Sequence, residues 1–448
     1  MGTLIDYTPK YYVSPDDVIG ELKKHMLVDG FDLVLDLEKS HDYEIMDSRG
    51  TKSFKDFFTC FASMPVGFNH PGVTNPAFVD YIGKLALNKP SNSDIYTEAM
   101  ATFVKTFFRI AVPEWFKYSF FISGGALAVE NALKAAFDWK VRKNFAKGIK
   151  EEKGHKVLHF REAFHGRSGY TMSLTNTDPV KVMYYPKFEW PRIDNPKIIF
   201  PITDDNLEEL IAREDKSIGQ AKQAFLDNKD DIACIIIEPI QGEGGDNHFR
   251  PQFLQKLREL ADENECLLVF DEVQTGLGIT GTYWAHEQLG VKPDIMSFGK
   301  KMQICGILAG EKLDEVPDNV FHTSSRINST WGGNLVDMIR STRYLEIMEE
   351  EDTMNNVRIM GENLKNLLMD LKSEFPDKIS NVRGRGLFCA FDLAGKQERN
   401  SFRDRCYEKG MIILPCGEKS MRFRPPMNIT ESQLDDGISI IRDVLKTV

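Results

Sequence analysis

Three short segments of this 448-residue chain carry groups that could do chemistry together, and each follows an apolar, strand-like run. The first, Ser123-Gly124-Gly125, precedes a helical pattern, and glycines at a helix start let backbone N–H groups approach an anion. The second segment begins with the carboxylate of Asp271, and the third supplies the amine of Lys300. A phosphate cradle, a carboxylate and an amine are the groups that a protein needs to hold pyridoxal 5′-phosphate (PLP) and use it.

Each segment alone has a simpler explanation. A Gly-Gly turn before a helix is more often only a turn, and a strand-end aspartate more often caps a helix or pairs with a cation. The amine of Lys300 becomes a nucleophile only if burial and nearby cations lower its pKa. Lys301 is the competing amine, and Lys300 is preferred because it directly follows Phe298-Gly299. The ordered combination favours PLP, with Asp271 pairing with the protonated ring nitrogen.

The elements that must position these groups follow an α/β pattern between residues 71 and 334. Short apolar runs predict strands over 118–122, 156–160, 232–237 and 266–270. A helix is expected over 250–264, between the last two strands. Continuous apolar strands that alternate with helices indicate a mainly parallel sheet covered on both faces. Ligands bind such sheets at the carboxyl ends of the strands, which is where Asp271 lies.

The two ends of the chain show different patterns. Alternating polar and apolar residues over 32–61 predict a strand pair with a turn at Asp47-Ser48-Arg49-Gly50. Later residues predict one long charged helix over 344–375, a strand over 386–391 and a final helix over 431–446. We therefore expect a large PLP-binding domain (71–334) and a smaller α+β domain (335–448), to which an N-terminal segment (1–70) contributes.

Composition excludes several classes of protein. The net charge of −11 argues against a general nucleic-acid binder, and no apolar stretch reaches the about 20 residues of a membrane span. Residues 1–6 lack the basic region and apolar core of a signal peptide. The seven cysteines are scattered and form no CxxC pair, which indicates reduced thiols. We expect a cytoplasmic protein with small-molecule partners, no nucleic acid and no membrane.

Eight ordered segments together resemble the class III (ω-amino acid) aminotransferases of PLP fold type I. The resemblance runs from about residue 30 to the C-terminus, and the DEVQTG run that starts at Asp271 is its most specific match. The matching segments are 69–71, 123–126, 164–167, 238–245, 271–276, 329–334, 383–387 and 422–426. The family fold implies an α/β large domain, with a mainly parallel sheet flanked by helices, and a smaller α+β domain.

The resemblance also implies roles at a PLP site. Lys300 would bind the cofactor's aldehyde and then serve as base and acid of the proton transfer, while Asp271 would hold the ring nitrogen. Further contacts are implied for Ser123, Gly124 and Gly125 (phosphate), Phe164 (stacking on one ring face), Gln274 (beside the phenolic oxygen) and Thr330 (phosphate of the neighbouring subunit's PLP). Ordinary core packing is the alternative for Phe164. The role of Thr330 implies a homodimer with its active site at the subunit interface, and no metal is expected.

Within the family, the chain is most similar to the branch that acts on L-lysine. The runs that carry this similarity are 164–171, 299–306 and 328–331. Ile279 stands where the usual GFGRTG segment has arginine, and residues 301–305 replace the usual glycine-rich run. This implies transfer of the ε-amino group of L-lysine to 2-oxoglutarate by a PLP ping-pong mechanism, which gives 2-aminoadipate 6-semialdehyde and glutamate.

Two unlike substrates require a cationic group that can be masked. Arg422 is the candidate for the carboxylate near the reacting carbon of 2-oxoglutarate, since a guanidinium suits bidentate pairing. Glu243 would mask Arg422 when lysine is bound, although a purely structural ion pair is the alternative. Arg167 is the candidate for the distant carboxylate of either substrate, or else a surface arginine, and Asn328 is a further candidate substrate contact. The RxxPP spacing selects Arg422 over Arg424.

Other functions stay open at this point. Another ω-aminotransferase, acting on ornithine, GABA or acetylornithine, would use the same cofactor residues. A PLP aminomutase or racemase would need no separate acceptor, so the pair of Arg422 and Glu243 would have no purpose. A structural or regulatory homologue without PLP is disfavoured because both Asp271 and Lys300 are present.

Overall fold

A seven-stranded mixed sheet lies at the centre of the molecule in the computed structural model, which describes residues 7–50 and 52–447. From one edge to the other its strands are Phe116–Ile122, Cys305–Gly310, Ile295–Phe298, Leu267–Asp271, Ile232–Ile237, Lys156–Phe160 and Arg192–Ile193. Cys305–Gly310 runs antiparallel to both of its neighbours, and the other adjacent pairs are parallel. The predicted α/β class with a mainly parallel sheet is confirmed. The expectation drawn from residues 1–6 lies outside the described residues.

Helices cover both faces of this sheet, which explains why its central strands are apolar along their whole length. Ile235 and Phe270 pack under the helices Asp204–Asp227 and Pro251–Glu263. Ile236, next along the chain, points to the opposite face and packs under the helix Gly125–Ala146. Successive strand residues alternate between the two faces, so burial on both sides removes the alternation of polar and apolar residues.

Strands from the N-terminal and C-terminal parts of the chain pair with each other in a second, smaller sheet. Glu44–Met46 and Ser53–Asp56 form the predicted antiparallel pair, and Ser53–Asp56 also pairs in parallel with Met411–Ile412. A four-stranded sheet follows the order Ser380–Arg385, Phe388–Asp392, Ser420–Phe423 and Leu414–Cys416. A small two-stranded sheet pairs Ile240–Gln241 with Asn247–His248. The domain boundaries at residues 70 and 334 stay a prediction.

The prediction of one helix over 344–375 was wrong, because the structure has two helices, Leu335–Glu350 and Thr353–Glu374. The break falls at Asp352, whose backbone is left-handed with φ of 48°. It lies in a run of acidic residues: like charges three or four positions apart on one helix repel each other, and negative charge is favourable at the N-terminus of the helix that follows. The predicted strand over 386–391 is Phe388–Asp392, because Gly386 lies in the preceding turn.

The remaining helices are distributed along the chain. They are Val18–Lys23, Pro71–Thr74, Pro76–Ala86, Glu98–Ile110, Thr171–Leu174, Ala285–Leu289, Lys396–Glu408 and Glu431–Leu445. Thr59–Ala62 makes one tight turn with left-handed backbone angles. No helix in the described part of the chain is long and apolar enough to cross a membrane.

Candidate active site

A cavity of about 540 Å³ lies where the central strands end. Asp271 is the last residue of its strand, Glu238 directly follows another strand, and Lys300 follows a third after one residue. The lining residues are Ser63, Gly125, Ala126, Phe164, His165, Gly166, Arg167, Glu238, Asp271, Val273, Gln274, Lys300, Gln303, Cys305, Asp337 and Arg340. Chemically active side chains from separate parts of the chain thus meet at the edge of the sheet where α/β proteins bind ligands.

The carboxylate of Asp271 is buried and held on both oxygens. Oδ1 accepts hydrogen bonds from the backbone N–H of Val273 (3.1 Å) and from the hydroxyl of Ser297 (3.2 Å). Oδ2 lies 2.7 Å from Nδ1 of the buried His165. Burial lowers the pKa of His165, but the hydrogen bond and charge of Asp271 outweigh it and raise the pKa above its usual value. These contacts fix the carboxylate in one orientation at the cavity wall.

The two adjacent lysines have different surroundings. Lys301 is fully buried, and its Nζ donates hydrogen bonds to the backbone oxygens of Gln274 (2.8 Å) and Ala62 (3.3 Å). Lys300 lines the cavity, with its Nζ 5.8 Å from the ring centre of Phe61. Lys301 therefore ties backbone segments together, and Lys300 is the amine that faces the cavity.

Burial and the nearby Arg422 guanidinium lower the pKa of Lys300 to about 8. The ammonium form loses hydration on burial and is repelled by the cation, so the neutral, nucleophilic amine is available much closer to neutral pH.

In cofactor-free protein, Lys300 is expected to react with acetic anhydride with a midpoint near pH 8, because only the neutral amine reacts. Peptide mass spectrometry after brief labelling across a pH series measures this midpoint. Lys117 is an internal control, because its hydrogen bond to Asp314 raises its pKa and delays its labelling to higher pH. Labelling of both lysines at the same high pH would contradict the assignment of a lowered pKa to Lys300.

The start of the 22-residue helix Gly125–Ala146 is a candidate anion site. Its N-cap, Gly124, has no side chain and adopts φ of 104°, so no side chain of the chain caps the first-turn N–H groups. Gly125 packs so closely against Val273 that an added Cβ would lie 2.9 Å from a methyl carbon. Ser123 is exposed beside this turn. Uncapped N–H groups at the positive end of a helix fit a phosphate.

Phe164 and Gln274, the candidates for contact with the PLP ring, both line this cavity. The backbone N–H of Phe164 donates a hydrogen bond to Glu238 (2.9 Å), and the other oxygen of Glu238 accepts one from the N–H of Gly242 (3.0 Å). Burial raises the pKa of Glu238 to about 7. Oε1 of Gln274 accepts a hydrogen bond from Arg424 (2.9 Å). An uncapped helix start, a buried carboxylate, a cavity-facing amine and an aromatic ring together fit PLP.

The two candidate arginines at the end of the strand Ser420–Phe423 have different partners: Arg422 lies in the strand, and Arg424 directly follows it. Nη2 of Arg422 donates a hydrogen bond to Oε2 of Glu243 (2.9 Å). Arg424 donates to both oxygens of Asp246 (2.7 and 3.0 Å) and stacks 3.4 Å over the ring of Phe388. Arg424 is therefore committed to buried structural contacts, whereas Arg422 lies over the same Phe61 ring as Lys300 and has the larger effect of the two on its pKa.

Other sequence candidates lie at the edge of the cavity or outside it. Arg167 lines the cavity with an exposed side chain. Asn328 and Thr330 are exposed and are not among the lining residues, so a single chain does not bring them to Lys300. The backbone oxygen of Thr330 accepts a hydrogen bond from the Ser91 hydroxyl, which fixes the loop that carries both residues.

Three functional candidates were missed by sequence reasoning: His165, Glu238 and Lys181. His165 and Glu238 lie in the 164–167 and 238–245 segments, so their place beside Phe164 and Glu243 was a usable signal. Lys181 had none, because its loop contains no recognisable pattern and its contact with Glu243 spans 62 residues.

Comparison with known proteins gives a consistent result. A model of the family "Aminotransferase class-III" matches residues 28–445, which confirms the family resemblance. The chain is 49% identical over 436 residues to an L-lysine-epsilon aminotransferase from Mycobacterium tuberculosis, covering 97% of this chain and 96% of that protein. It is 46% identical over 447 residues to one from Streptomyces clavuligerus, covering 99% and 97%. A structure of a lysine aminotransferase from M. tuberculosis superimposes with a TM-score of 0.95 at 48% identity, covering 97% of this chain and 100% of that one.

Proposed function

The chain belongs to the class-III aminotransferase family, and from this premise we propose that it transfers the ε-amino group of L-lysine to 2-oxoglutarate. The products are 2-aminoadipate 6-semialdehyde and glutamate. The observation that carries the proposal is the ion pair of Arg422 and Glu243 near the amine of Lys300, because a cation that a carboxylate can mask suits an enzyme with two unlike substrates. The names of relatives that are 46–49% identical to nearly all of this chain support the choice of lysine.

The family uses PLP, which when bound supplies an electron sink for negative charge at the substrate carbon. In our proposal Lys300 holds the cofactor and moves the proton at the reacting carbon. Asp271, oriented by His165, keeps a negative charge at the far wall of the cavity. Ser123, Gly124 and Gly125 would hold the phosphate of the cofactor, and Phe164 and Gln274 would contact its ring.

The substrate residues act in turn in the two half-reactions. With lysine bound, Glu243 neutralises Arg422, and the distant α-carboxylate pairs with Arg167. With 2-oxoglutarate bound, Arg422 takes the carboxylate next to the reacting carbon, and Arg167 takes the distal one. Asn328 adds a further substrate contact.

We propose a homodimer whose active sites lie at the subunit interface, with Thr330 binding the phosphate in the neighbouring subunit. Ile95, Tyr96 and Trp331 support this, because they are large apolar side chains exposed near the Thr330 loop. A cytoplasmic location is also proposed, supported by seven free cysteines in the described part of the chain.

The test is a panel of single half-reactions. Purified PLP-loaded protein is mixed separately with lysine, ornithine, GABA and acetylornithine. The loss of the absorbance of the bound PLP is followed over time. Lysine is expected to react fastest, and 2-oxoglutarate is expected to restore the starting spectrum. A faster reaction with ornithine or GABA would overturn the lysine assignment, and failure of 2-oxoglutarate to restore the spectrum would favour an aminomutase.

Glu243→Gln is expected to lower the rate of ε-amino transfer from lysine about ten-fold, the equivalent of about 1.4 kcal/mol, without weakening the 2-oxoglutarate half-reaction. The reason is that an unmasked Arg422 attracts the α-carboxylate of lysine and turns the substrate around. Half-reaction kinetics measure the two steps, and mass spectrometry distinguishes the α-keto acid from the semialdehyde.

Glu243→Asp, which keeps the charge, is the matched control. It should retain more of the rate of ε-amino transfer than Glu243→Gln does. Equal losses in the two half-reactions of Glu243→Gln would show that the pair of Arg422 and Glu243 is only structural.

A further inference from the structure

The carboxylate of Glu243 is shared between two cations. Its Oε2 accepts the hydrogen bond from Arg422 (2.9 Å), and its Oε1 accepts one from Nζ of Lys181 (2.7 Å). Each cation thus holds a different oxygen. Burial raises the pKa of Glu243, but the two cations outweigh it and lower the pKa below its usual value, so the group is an anion.

The two cations lie at different depths. The side chain of Arg422 is 4% exposed, whereas those of Lys181 and Glu243 are 25% and 27% exposed. Arg422 is therefore the inner partner, next to the reaction centre, and Lys181 is the outer partner, near solvent. Glu243 lies between them.

The local chain fixes the position of Lys181. It ends the one-turn 3-10 helix Pro179–Lys181, where the side chain of Asp178 accepts a hydrogen bond from the N–H of Val180 (3.0 Å). Nζ also donates to the hydroxyl of Thr177 (3.2 Å) and lies 5.3 Å from the ring centre of Phe164. The ammonium is thus held by Thr177 and Glu243 beside Phe164, which lines the cavity, rather than free in solvent.

We propose that Lys181 is the second docking site of the Glu243 carboxylate and sets how easily Arg422 is released to bind a dicarboxylate acceptor. The inference rests on the proposed exchange of partners at Arg422. When the carboxylate of an acceptor displaces Glu243 from Arg422, Glu243 keeps a cation on its other oxygen. Without Lys181 the displaced carboxylate would lose the cation that is hydrogen-bonded to its Oε1, and Glu243 would stay on Arg422.

Lys181 is therefore a positioning residue that couples to acceptor binding through Glu243. Loss of the charge of Lys181 strengthens the ion pair between Glu243 and Arg422. The binding of a dicarboxylate is then weakened, but the binding of lysine is not. Couplings between neighbouring groups of this kind are about 5- to 150-fold. We expect a shift of about ten-fold in the ratio of the two half-reactions.

Lys181→Met removes the charge and keeps an unbranched chain, and Lys181→Arg keeps the charge. Isothermal titration calorimetry on the PLP-loaded protein measures the binding of glutarate, an unreactive dicarboxylate. Half-reaction kinetics give the response to lysine and to 2-oxoglutarate. In Lys181→Met the Kd for glutarate should rise about ten-fold. The concentration of 2-oxoglutarate that gives half the maximal rate should also rise about ten-fold, whereas the corresponding concentration of lysine should not rise. Lys181→Arg should recover most of the loss.

The double variant Lys181→Met/Glu243→Gln separates this role from a general structural one. If Lys181 acts through Glu243, the Lys181 substitution should have no further effect on glutarate binding once Glu243 is neutral. A loss of the same size in both backgrounds would overturn the inference, and so would equal losses for lysine and 2-oxoglutarate.

The wild-type protein distinguishes failure of this inference from failure of the proposed function. If wild-type protein reacts with lysine and 2-oxoglutarate but Lys181→Met shows no shift in their ratio, the inference alone is wrong. If wild-type protein does not respond to 2-oxoglutarate and does not bind glutarate, the proposed function is wrong and the inference is overturned with it.

Discussion

Lys300→Ala is expected to lower transamination about 10⁴-fold, because a single side chain both holds the cofactor and moves the proton. The neighbouring amine of Lys301 is not placed to take over, since it is fully buried against the backbone oxygens of Gln274 and Ala62. Steady-state turnover with lysine and 2-oxoglutarate measures the loss. Borohydride reduction of the wild-type protein, followed by peptide mapping, should place the cofactor on Lys300.

Lys301→Met is the matched control, because it removes the neighbouring amine, which is not itself among the residues that line the cavity. It should still carry the cofactor on Lys300 after reduction. Turnover by Lys300→Ala within ten-fold of wild type, or a reduced cofactor on another lysine, would refute the assignment of Lys300.

The elements that carry the site follow from local patterns. The apolar runs before Asp271 and Lys300 are continuous because helices cover both faces of the sheet, and that continuity marks the strands in the sequence. Strand ends and ligand sites coincide in such sheets, so both residues could be placed at the site without knowledge of the tertiary structure.

Contacts between residues that are far apart in the sequence could not be predicted in the same way. The hydrogen bond between His165 and Asp271 spans 106 residues, and that between Lys181 and Glu243 spans 62. These contacts depend on which strands are neighbours in the sheet, and periodicity within one strand does not specify its neighbours. The resemblance placed Arg422 and Glu243 together, but it gave no reason to consider the second cation.

The helix break at Asp352 shows a limit of a different kind. Apolar periodicity continues across residues 344–375, so the pattern alone predicts one helix. The two helices pack against different partners, the first against Glu98–Ile110 and the second against Ser380–Arg385. Tertiary packing thus overrides a local signal that has no glycine or proline to mark the break.

Asp271→Asn is expected to lower the rate of the lysine half-reaction about 10²- to 10³-fold, the usual range for loss of one charge-stabilising group in an active site. The amide keeps the size of the side chain but removes the negative charge that stabilises a protonated ring nitrogen. It also removes the charge that raises the pKa of His165, so burial should then lower that pKa. Stopped-flow absorbance measures the half-reaction, and NMR of the imidazole measures the pKa of His165.

Ser297→Ala is the control for Asp271→Asn, because it removes only the 3.2 Å hydrogen bond to Oδ1 and leaves the contact with His165. Its rate should fall less than that of Asp271→Asn, because the carboxylate keeps its charge and its contacts with His165 and with the N–H of Val273. A similar loss in both variants would mean that the orientation of the carboxylate matters more than its charge. A normal rate in Asp271→Asn with the cofactor still bound would show that Asp271 does not act on the ring nitrogen, and the electron-withdrawing role would then need another group.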